Sequence, residues 1–150
     1  MPAVRSAVPA DLDMLVRFNA AMAHETEDKR LDPVRLRAGV AAALEDPQRG
    51  HYLIAEQDGR VAGALLVTRE WSDWRNGWFW WIQSVYVAPE ARRAGIYRAL
   101  HAEVLRQAAA AGAVGVRLYV DRGNSGAQRT YERLGMQPSH YVFYETEARG

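Results

Sequence analysis

One segment, residues 85–100, restricts the possible folds of this chain more than any other part of the sequence. It reads as a buried strand, a short basic turn containing Gly95, and the start of a helix. The first N–H groups of a helix lack internal acceptors and carry partial positive charge, so such a turn can bind an anion. Arg92 and Arg93 add full charges and planar donors that suit phosphate. The segment therefore predicts a phosphorylated ligand.

The composition is that of an ordinary globular protein. The chain has 150 residues, of which 49% are hydrophobic and 25% charged, and no repeat or linker divides it, so we expect one domain over residues 1–150. The net charge of +1 gives no support to a nucleic-acid partner, although a local basic site remains compatible with it. The absence of cysteine excludes disulfides and thiolate chemistry, and the four histidines are too scattered to predict a metal site.

The sequence contains no segment typical of export or of membrane insertion. The residues after Met1 lack the apolar run of a signal peptide. No stretch approaches the ~20 uninterrupted apolar residues that a spanning helix needs. We therefore expect no membrane partner and a cytoplasmic location.

Hydrophobic periodicity predicts an alternation of strands and helices along the whole chain. Strands are expected at Ala3–Ala7, Tyr52–Glu56, Val61–Thr68, Trp78–Val87, Gly115–Asp121 and Ser139–Thr146. Helices are expected from Asp11, from Pro33 to about Leu44, at Gly95–Ala111 and at Ser125–Leu134, with a loop at His24–Asp32. The order predicts an α/β (α+β mixed) fold, in which a single mixed twisted sheet of about six to seven strands is flanked by about four helices.

Two motifs on these elements resemble those of the GNAT family of N-acetyltransferases. The family signature Gln/Arg-x-x-Gly-x-Gly/Ala follows its fourth strand, and here residues 92–97 read Arg-Arg-Ala-Gly-Ile-Tyr. The second motif is an asparagine, a tyrosine seven residues later and a closing glycine, matched by Asn124, Tyr131 and Gly135. The order of elements matches the GNAT-like fold over essentially the whole chain. One departure is Tyr97, which replaces the last small residue of the signature.

The resemblance implies acetyl-CoA as acyl donor. Backbone groups of the fourth strand would pair with the pantetheine amides as an added strand would, and N–H groups of the turn would bind the pyrophosphate. We expect the Tyr97 side chain to point away while its N–H still binds. The implied cofactor-binding residues are Val85, Tyr86, Val87, Arg92, Arg93, Ala94, Gly95, Ile96, Tyr97, Arg98 and Asn124.

The resemblance also implies a catalytic role for Tyr131. In the family the matching tyrosine commonly acts as general acid, and a phenol with an ordinary pKa of about 10 is protonated at neutral pH. The alternatives are that Tyr131 is a packed helix aromatic and that Asn124 is a helix N-cap.

The general base is not identified by the sequence. Many relatives use a glutamate on the fourth strand, but this strand offers Gln83, which can orient a substrate and cannot accept its proton at neutral pH. The candidates elsewhere are Glu25, Glu27, Glu70 and Asp73, each of which is also compatible with an ordinary surface residue. A water chain to solvent is the remaining option.

All five tryptophans lie between Trp71 and Trp81, and this cluster suggests where the acceptor binds. Aromatic faces with nearby carboxylates suit a cationic amine, so we expect a small-molecule primary amine as acceptor. The expected substrate-binding residues are Glu25, Asp73, Trp74 and Gln83. The alternative is that the tryptophans are sheet core or cap it.

Other functions stay open at this point. One alternative is an acetyltransferase that acts on a protein N-terminus or lysine. Another is a non-enzymatic CoA-binding or sensing domain, which would explain the missing carboxylate on the fourth strand and the presence of Tyr97. A nucleotide-binding domain is disfavoured because the phosphate turn lacks the Gly-Lys-Ser/Thr ending and the glycine pattern of dinucleotide folds. The aromatic segment Tyr141–Tyr144 suggests a homodimer formed through the last strand.

Overall fold

The computed structural model describes residues 2–148, and these form two compact units, residues 2–119 and residues 120–148. The first unit contains all five strands and three of the four helices, and the second contains the last helix. The expectation of one domain over the whole chain stays a prediction. No helix among the described residues combines the length and apolar character of a membrane span.

The first unit is built on a mixed sheet whose strands lie side by side in chain order. The strands are β1 (Ala3–Ser6), β2 (His51–Gln57), β3 (Arg60–Ser72), β4 (Gly77–Val87) and β5 (Gly115–Arg117). The first four pair antiparallel, whereas β5 runs parallel to β4. The helices of this unit are α1 (Leu12–Glu27), α2 (Pro33–Glu45) and α3 (Ile96–Ala110), and the second unit carries α4 (Ser125–Arg133). The mixed α/β fold is therefore confirmed.

Local backbone chemistry sets several of these boundaries. The Asp32 carboxylate accepts a hydrogen bond from the N–H of Val34 at 2.9 Å, and Pro33 occupies the first helical position of α2. Before α3, Gly95 has a left-handed φ of 77°, a conformation that costs glycine little. Both helix starts lie where the sequence predicts them.

Three predicted boundaries are wrong. Strand β5 ends at Arg117 rather than at Asp121, because its pairing with β4 stops there. Helix α1 continues to Glu27, through the start of the predicted loop, and ends where Asp28 adopts the left-handed conformation and donates its N–H to carbonyls of the last turn. Strand β3 continues to Ser72, because cross-strand pairs such as Trp71–Trp78 extend the hairpin through residues whose polarity suggested a loop.

The predicted number of strands is also wrong, since the described residues form five rather than six to seven. Residues 139–146 alternate in the manner of a strand, but the structure assigns them none. Alternation gives a segment the propensity to pair, and a strand forms only where a neighbouring strand accepts it. Without that strand, the proposed route to a homodimer loses its basis in the fold, and the dimer itself stays a prediction.

Helices cover both faces of the sheet in the first unit. On one face, α3 residues such as Leu100 and Val104 pack against Leu65 and Trp80 in the first core. On the other, Leu15 of α1 and Val40 of α2 pack against residues of β2 and β3 in the second core. Each fully buried leucine of this kind contributes about 1.5–3 kcal/mol to folding.

A bulge in β4 controls which side chains reach each face. Leu66 pairs with Gln83 and Ala64 with Tyr86, so β4 holds one more residue than β3 between these pairs. Ser84, inside this interval, has a φ of 53°. The face that carries Gln83 before the bulge therefore carries Tyr86 after it, and Val85 and Val87 pack against the first core.

Candidate active site

The edge of β4 that faces β5 is open over its second half. The parallel pairing joins residues 79–81 to residues 115–117 and ends at Trp81 and Arg117. In the described part of the chain, the β4 residues that follow pair only with β3. Backbone groups near Val85 and Val87 therefore face a gap in the sheet that an extended ligand can fill by hydrogen bonding.

The turn after β4 forms an exposed cradle of backbone N–H groups. Arg93 and Gly95 have φ values of 67° and 77°, and both residues are exposed. The first helical hydrogen bond of α3 runs from the N–H of Ala99 to the carbonyl of Gly95 at 3.1 Å, so the N–H groups that precede Ala99 point out of the helix end. Left-handed residues next to a helix start create a concave anion site, and this geometry fits a pyrophosphate.

Tyr97 does not fill this cradle with its side chain. The ring is partly buried against the first core, and its hydroxyl lies 3.2 Å from Nδ1 of His101, one helical turn further on. This placement agrees with the expected orientation. The binding role of the Tyr97 N–H stays a prediction.

Beside the turn, three residues form what we call the Glu25 network, namely Glu25, Tyr86 and Arg92. The Tyr86 hydroxyl donates to one oxygen of Glu25 at 3.0 Å, and Nη2 of Arg92 donates to the other at 2.7 Å. Nε of Arg92 donates to the carbonyl of Val87 at 3.0 Å, so this guanidinium folds back onto β4. The guanidinium and then the phenol lower the pKa of the Glu25 carboxyl, which makes Glu25 a poorer proton acceptor.

A second set of three residues, Glu70, Trp81 and Arg117, lies across the first half of β4, and we call it the Glu70 network. One oxygen of Glu70 accepts hydrogen bonds from Nε1 of Trp81 at 2.9 Å and from Nη1 of Arg117 at 3.2 Å. Cζ of Arg117 lies 3.5 Å from the centre of the Phe79 ring, a close cation–π contact. Because side chains alternate along a strand, these groups share the face that carries Gln83.

Two of the predicted acceptor residues, Asp73 and Trp74, lie away from Gln83 in the turn between β3 and β4. Asp73 accepts a hydrogen bond from the N–H of Trp74 within the β3–β4 turn, and the Trp74 side chain is 86% exposed. Gln83 lies six residues beyond the start of β4, about 20 Å from that turn along the strand. Its amide nitrogen donates to the hydroxyl of Thr68 at 2.6 Å. The structure therefore does not bring Asp73 and Trp74 together with Gln83.

Of the remaining base candidates, Glu27 pairs with Lys29 at 3.4 Å on the surface. Glu70 is a candidate base from the sequence, whereas its partners Trp81 and Arg117 are not predicted. The alternation of Phe79, Trp81 and Gln83 along β4 places these side chains on one face and is the sequence signal that could have indicated Trp81. The register that places Arg117 opposite Trp81 follows only from the parallel pairing.

The second unit carries the second family motif. The side-chain oxygen of Asn124 accepts a hydrogen bond from the N–H of Ala127 at 3.1 Å, so Asn124 is the N-cap of α4. Tyr131 is partly buried on that helix, and burial raises the pKa of its phenol. A phenol with a raised pKa keeps its proton at neutral pH. The described residues contain no group of three or more histidine, aspartate or glutamate side chains placed to hold a metal ion.

A mixed sheet that opens beside an exposed helix-start cradle defines a class of proteins that bind an extended, phosphorylated ligand. Residues 15–136 match the family model described as Acetyltransferase (GNAT) family. The chain belongs to the GNAT family of acetyltransferases, as its motifs predict.

Individual relatives agree with this assignment. The solved structure of a possible acetyltransferase from Clostridium difficile 630 is 42% identical in sequence to this chain and superposes with a TM-score of 0.92. The match covers 100% of this chain and 99% of that one. An aminoalkylphosphonate N-acetyltransferase from Salmonella typhimurium is 31% identical over 93% of this chain and 88% of its own length. A mycothiol acetyltransferase from Streptomyces griseus is 34% identical over 92% of this chain, which spans only 43% of that relative.

Proposed function

We propose that this protein transfers an acetyl group from acetyl-CoA to a primary amine of a small molecule by direct attack. The observation that carries the proposal is the open edge of β4 beside the exposed cradle at Arg93–Arg98. This arrangement has separate places for the two polar parts of acetyl-CoA, its amide-rich pantetheine arm and its pyrophosphate. The donor-binding residues are those named from the sequence, with Arg92 acting through its contacts to Glu25 and Val87.

Small amines are favoured as acceptors by the relatives. One of them is named for aminoalkylphosphonates and another for mycothiol, both small molecules. The exposure of Trp74 supports the second candidate, a protein N-terminus or lysine, because an open aromatic rim also suits a peptide. The tryptophan cluster, with Trp74 this exposed, therefore gives the small amine no further support.

In the proposed reaction, the acceptor ammonium loses a proton and its nitrogen attacks the thioester carbonyl carbon. A C–N bond forms, the C–S bond breaks, and Tyr131 donates its phenolic proton to the departing thiolate. The nitrogen then loses a second proton, and of the two protons released one restores the Tyr131 phenol and the other passes to solvent. The products are therefore the acetylated amine, the CoA thiol and one proton. Burial raises the pKa of Tyr131, so the phenol carries its proton at neutral pH before the transfer.

The test is thiol release from acetyl-CoA in the presence of 2-aminoethylphosphonate, n-propylamine or a short peptide with a free N-terminus. We expect release with a small amine, and a fall in kcat of about 100-fold or more in Tyr131→Phe, the usual size of general acid catalysis. The Kd of acetyl-CoA, measured by calorimetric titration, should be unchanged. Tyr144→Phe is the control, since that side chain is 92% exposed.

Three results would change the proposal. Acetyl-CoA binding without thiol release for any acceptor would favour the binding or sensing domain. Release with the peptide alone would move the acceptor to proteins. A Tyr131→Phe variant with unchanged kcat would remove Tyr131 as the acid.

A further inference from the structure

The Glu70 network has binding capacity that its own contacts do not use. Both hydrogen bonds to Glu70 end on Oε1, and no described residue donates to Oε2. Arg117 has five N–H donors and uses one of them on Glu70. The pair therefore offers a free carboxylate oxygen and free guanidinium donors side by side.

Stability alone does not account for this arrangement. The side chains of Glu70 and Arg117 are 48% and 31% exposed, and ion pairs exposed to this degree add little to folding. What the contacts achieve is orientation, because the Trp81 indole and the Phe79 ring fix the two charged groups in place.

The position of the network is the second reason to assign it a function. Arg117 and Trp81 form the last pair before β4 and β5 separate, so the charged groups lie at the mouth of the gap. Gln83, the next residue on the same face, lies just inside it. A molecule that approaches the open edge of β4 from this face meets Glu70 and Arg117 first.

We propose that the Glu70–Arg117 pair binds the acceptor and that the acceptor is a zwitterion. Its ammonium donates to Oε2 of Glu70, and its phosphonate or carboxylate accepts from the free donors of Arg117. The two protein groups are 3.2 Å apart, so the ligand carries its opposite charges on a short carbon chain. This inference rests on the proposed function and names the substrate class of that site.

Glu70 also has a place in the proton balance of the reaction. Before the attack, an N–H bond of the ammonium breaks and an O–H bond forms on Oε2 of Glu70, which frees the nitrogen lone pair. The proton then passes to solvent. Glutamine at position 70 keeps the shape and can still accept from Trp81, but it cannot take this proton.

The experiment compares kcat/KM for 2-aminoethylphosphonate and n-propylamine in Glu70→Gln and Arg117→Gln. We expect Glu70→Gln to lose about 100-fold at neutral pH with both amines, as loss of a general base does. Part of that loss should return as the pH approaches the pKa of the amine, about 10. Arg117→Gln should lose about 30-fold with the phosphonate and less than about fivefold with propylamine, as expected for a charged hydrogen bond.

Matched controls come from charged side chains on α2. Glu45→Gln and Arg35→Gln remove exposed charges that no hydrogen bond or ion pair holds among the described residues, and both should retain full kcat/KM. Thermal unfolding and the Kd of acetyl-CoA should be unchanged in the two test variants.

Failure of this inference is distinguishable from failure of the proposed function. If the wild type releases thiol with an amine and Glu70→Gln does so equally, the assignment of Glu70 is overturned and the acetyltransferase activity stands. If Arg117→Gln loses as much with propylamine as with the phosphonate, the zwitterion is overturned. If the wild type acetylates neither amine, the inference falls together with the proposed small-amine acceptor.

Discussion

The Glu25 and Glu70 networks lie toward opposite ends of β4 and use the same components differently. Each joins one carboxylate to an aromatic donor and an arginine. In the Glu25 network the two donors engage different oxygens, and the arginine also binds a backbone carbonyl. In the Glu70 network both donors engage one oxygen.

The difference separates a structural network from one that is ready for a ligand. A carboxylate with both oxygens engaged holds neighbouring elements, and here Glu25 connects the end of α1 to β4 and its following turn. A carboxylate with one oxygen engaged is oriented but keeps an acceptor for a substrate. Residue type alone, two glutamates each near an arginine, does not distinguish these roles.

The largest effect that sharpens this comparison is expected from Trp81→Phe. The change removes the indole donor to Glu70 and keeps an aromatic side chain on the same face. Loss of one hydrogen bond to a charged group should lower kcat/KM for the amine about tenfold, with the Kd of acetyl-CoA unchanged. Trp71→Phe, on an exposed tryptophan, serves as the control. Equal losses in the two variants would show that the Glu70 network has no special part in acceptor binding.

Substitutions that break the Glu25 network are expected to have a smaller effect, which is on the Kd of acetyl-CoA. Arg92→Gln and Glu25→Gln each break the same contact, so each should raise the Kd of acetyl-CoA about fivefold by releasing an ordered side chain near the turn. The double variant should bind no more weakly than either single variant. Calorimetric titration measures all four Kd values. Additive losses would show that Arg92 acts on the ligand independently of Glu25.

The smallest effect is a pH dependence of stability. The folded-state pKa of Glu25 is lowered, so its contribution is complete above the unfolded pKa of about 4.3 and is lost as the pH falls through the lower folded value. The difference in Tm between wild type and Glu25→Gln should therefore be constant from pH 8 to about pH 5 and shrink below about pH 4. Thermal scans by circular dichroism follow it. A difference that vanishes above pH 5 would contradict the lowered pKa.

The features that the sequence predicts well are those with a local cause. The cap at Asp32 depends on adjacent backbone groups, and the left-handed Gly95 follows from the turn itself. The family motifs add the role expected for Tyr131, which awaits the Tyr131→Phe experiment.

The features that the sequence does not predict depend on long-range register. Glu70 and Arg117 are 47 residues apart in the chain and meet only because β4 pairs with both β3 and β5. Glu25 and Arg92 meet across 67 residues for the same kind of reason. The end of α1 at Asp28 was missed because an aspartate takes the left-handed position that glycine usually marks.

The bulge at Ser84 has a consequence for how this enzyme family member can diversify. It divides β4 into a front half, one face of which carries Phe79, Trp81 and Gln83, and a rear half that carries Tyr86 on the same face. In the proposed site, substitutions in the front half change what the acceptor meets without altering the register of the rear half. Deletion of Ser84 would leave one residue on each strand between the cross-strand pairs that flank the bulge, so β4 would lose its bulge while Gln83 and Tyr86 kept their common face. In the proposed site, new acceptors are therefore accessible by point substitution in the front half of β4.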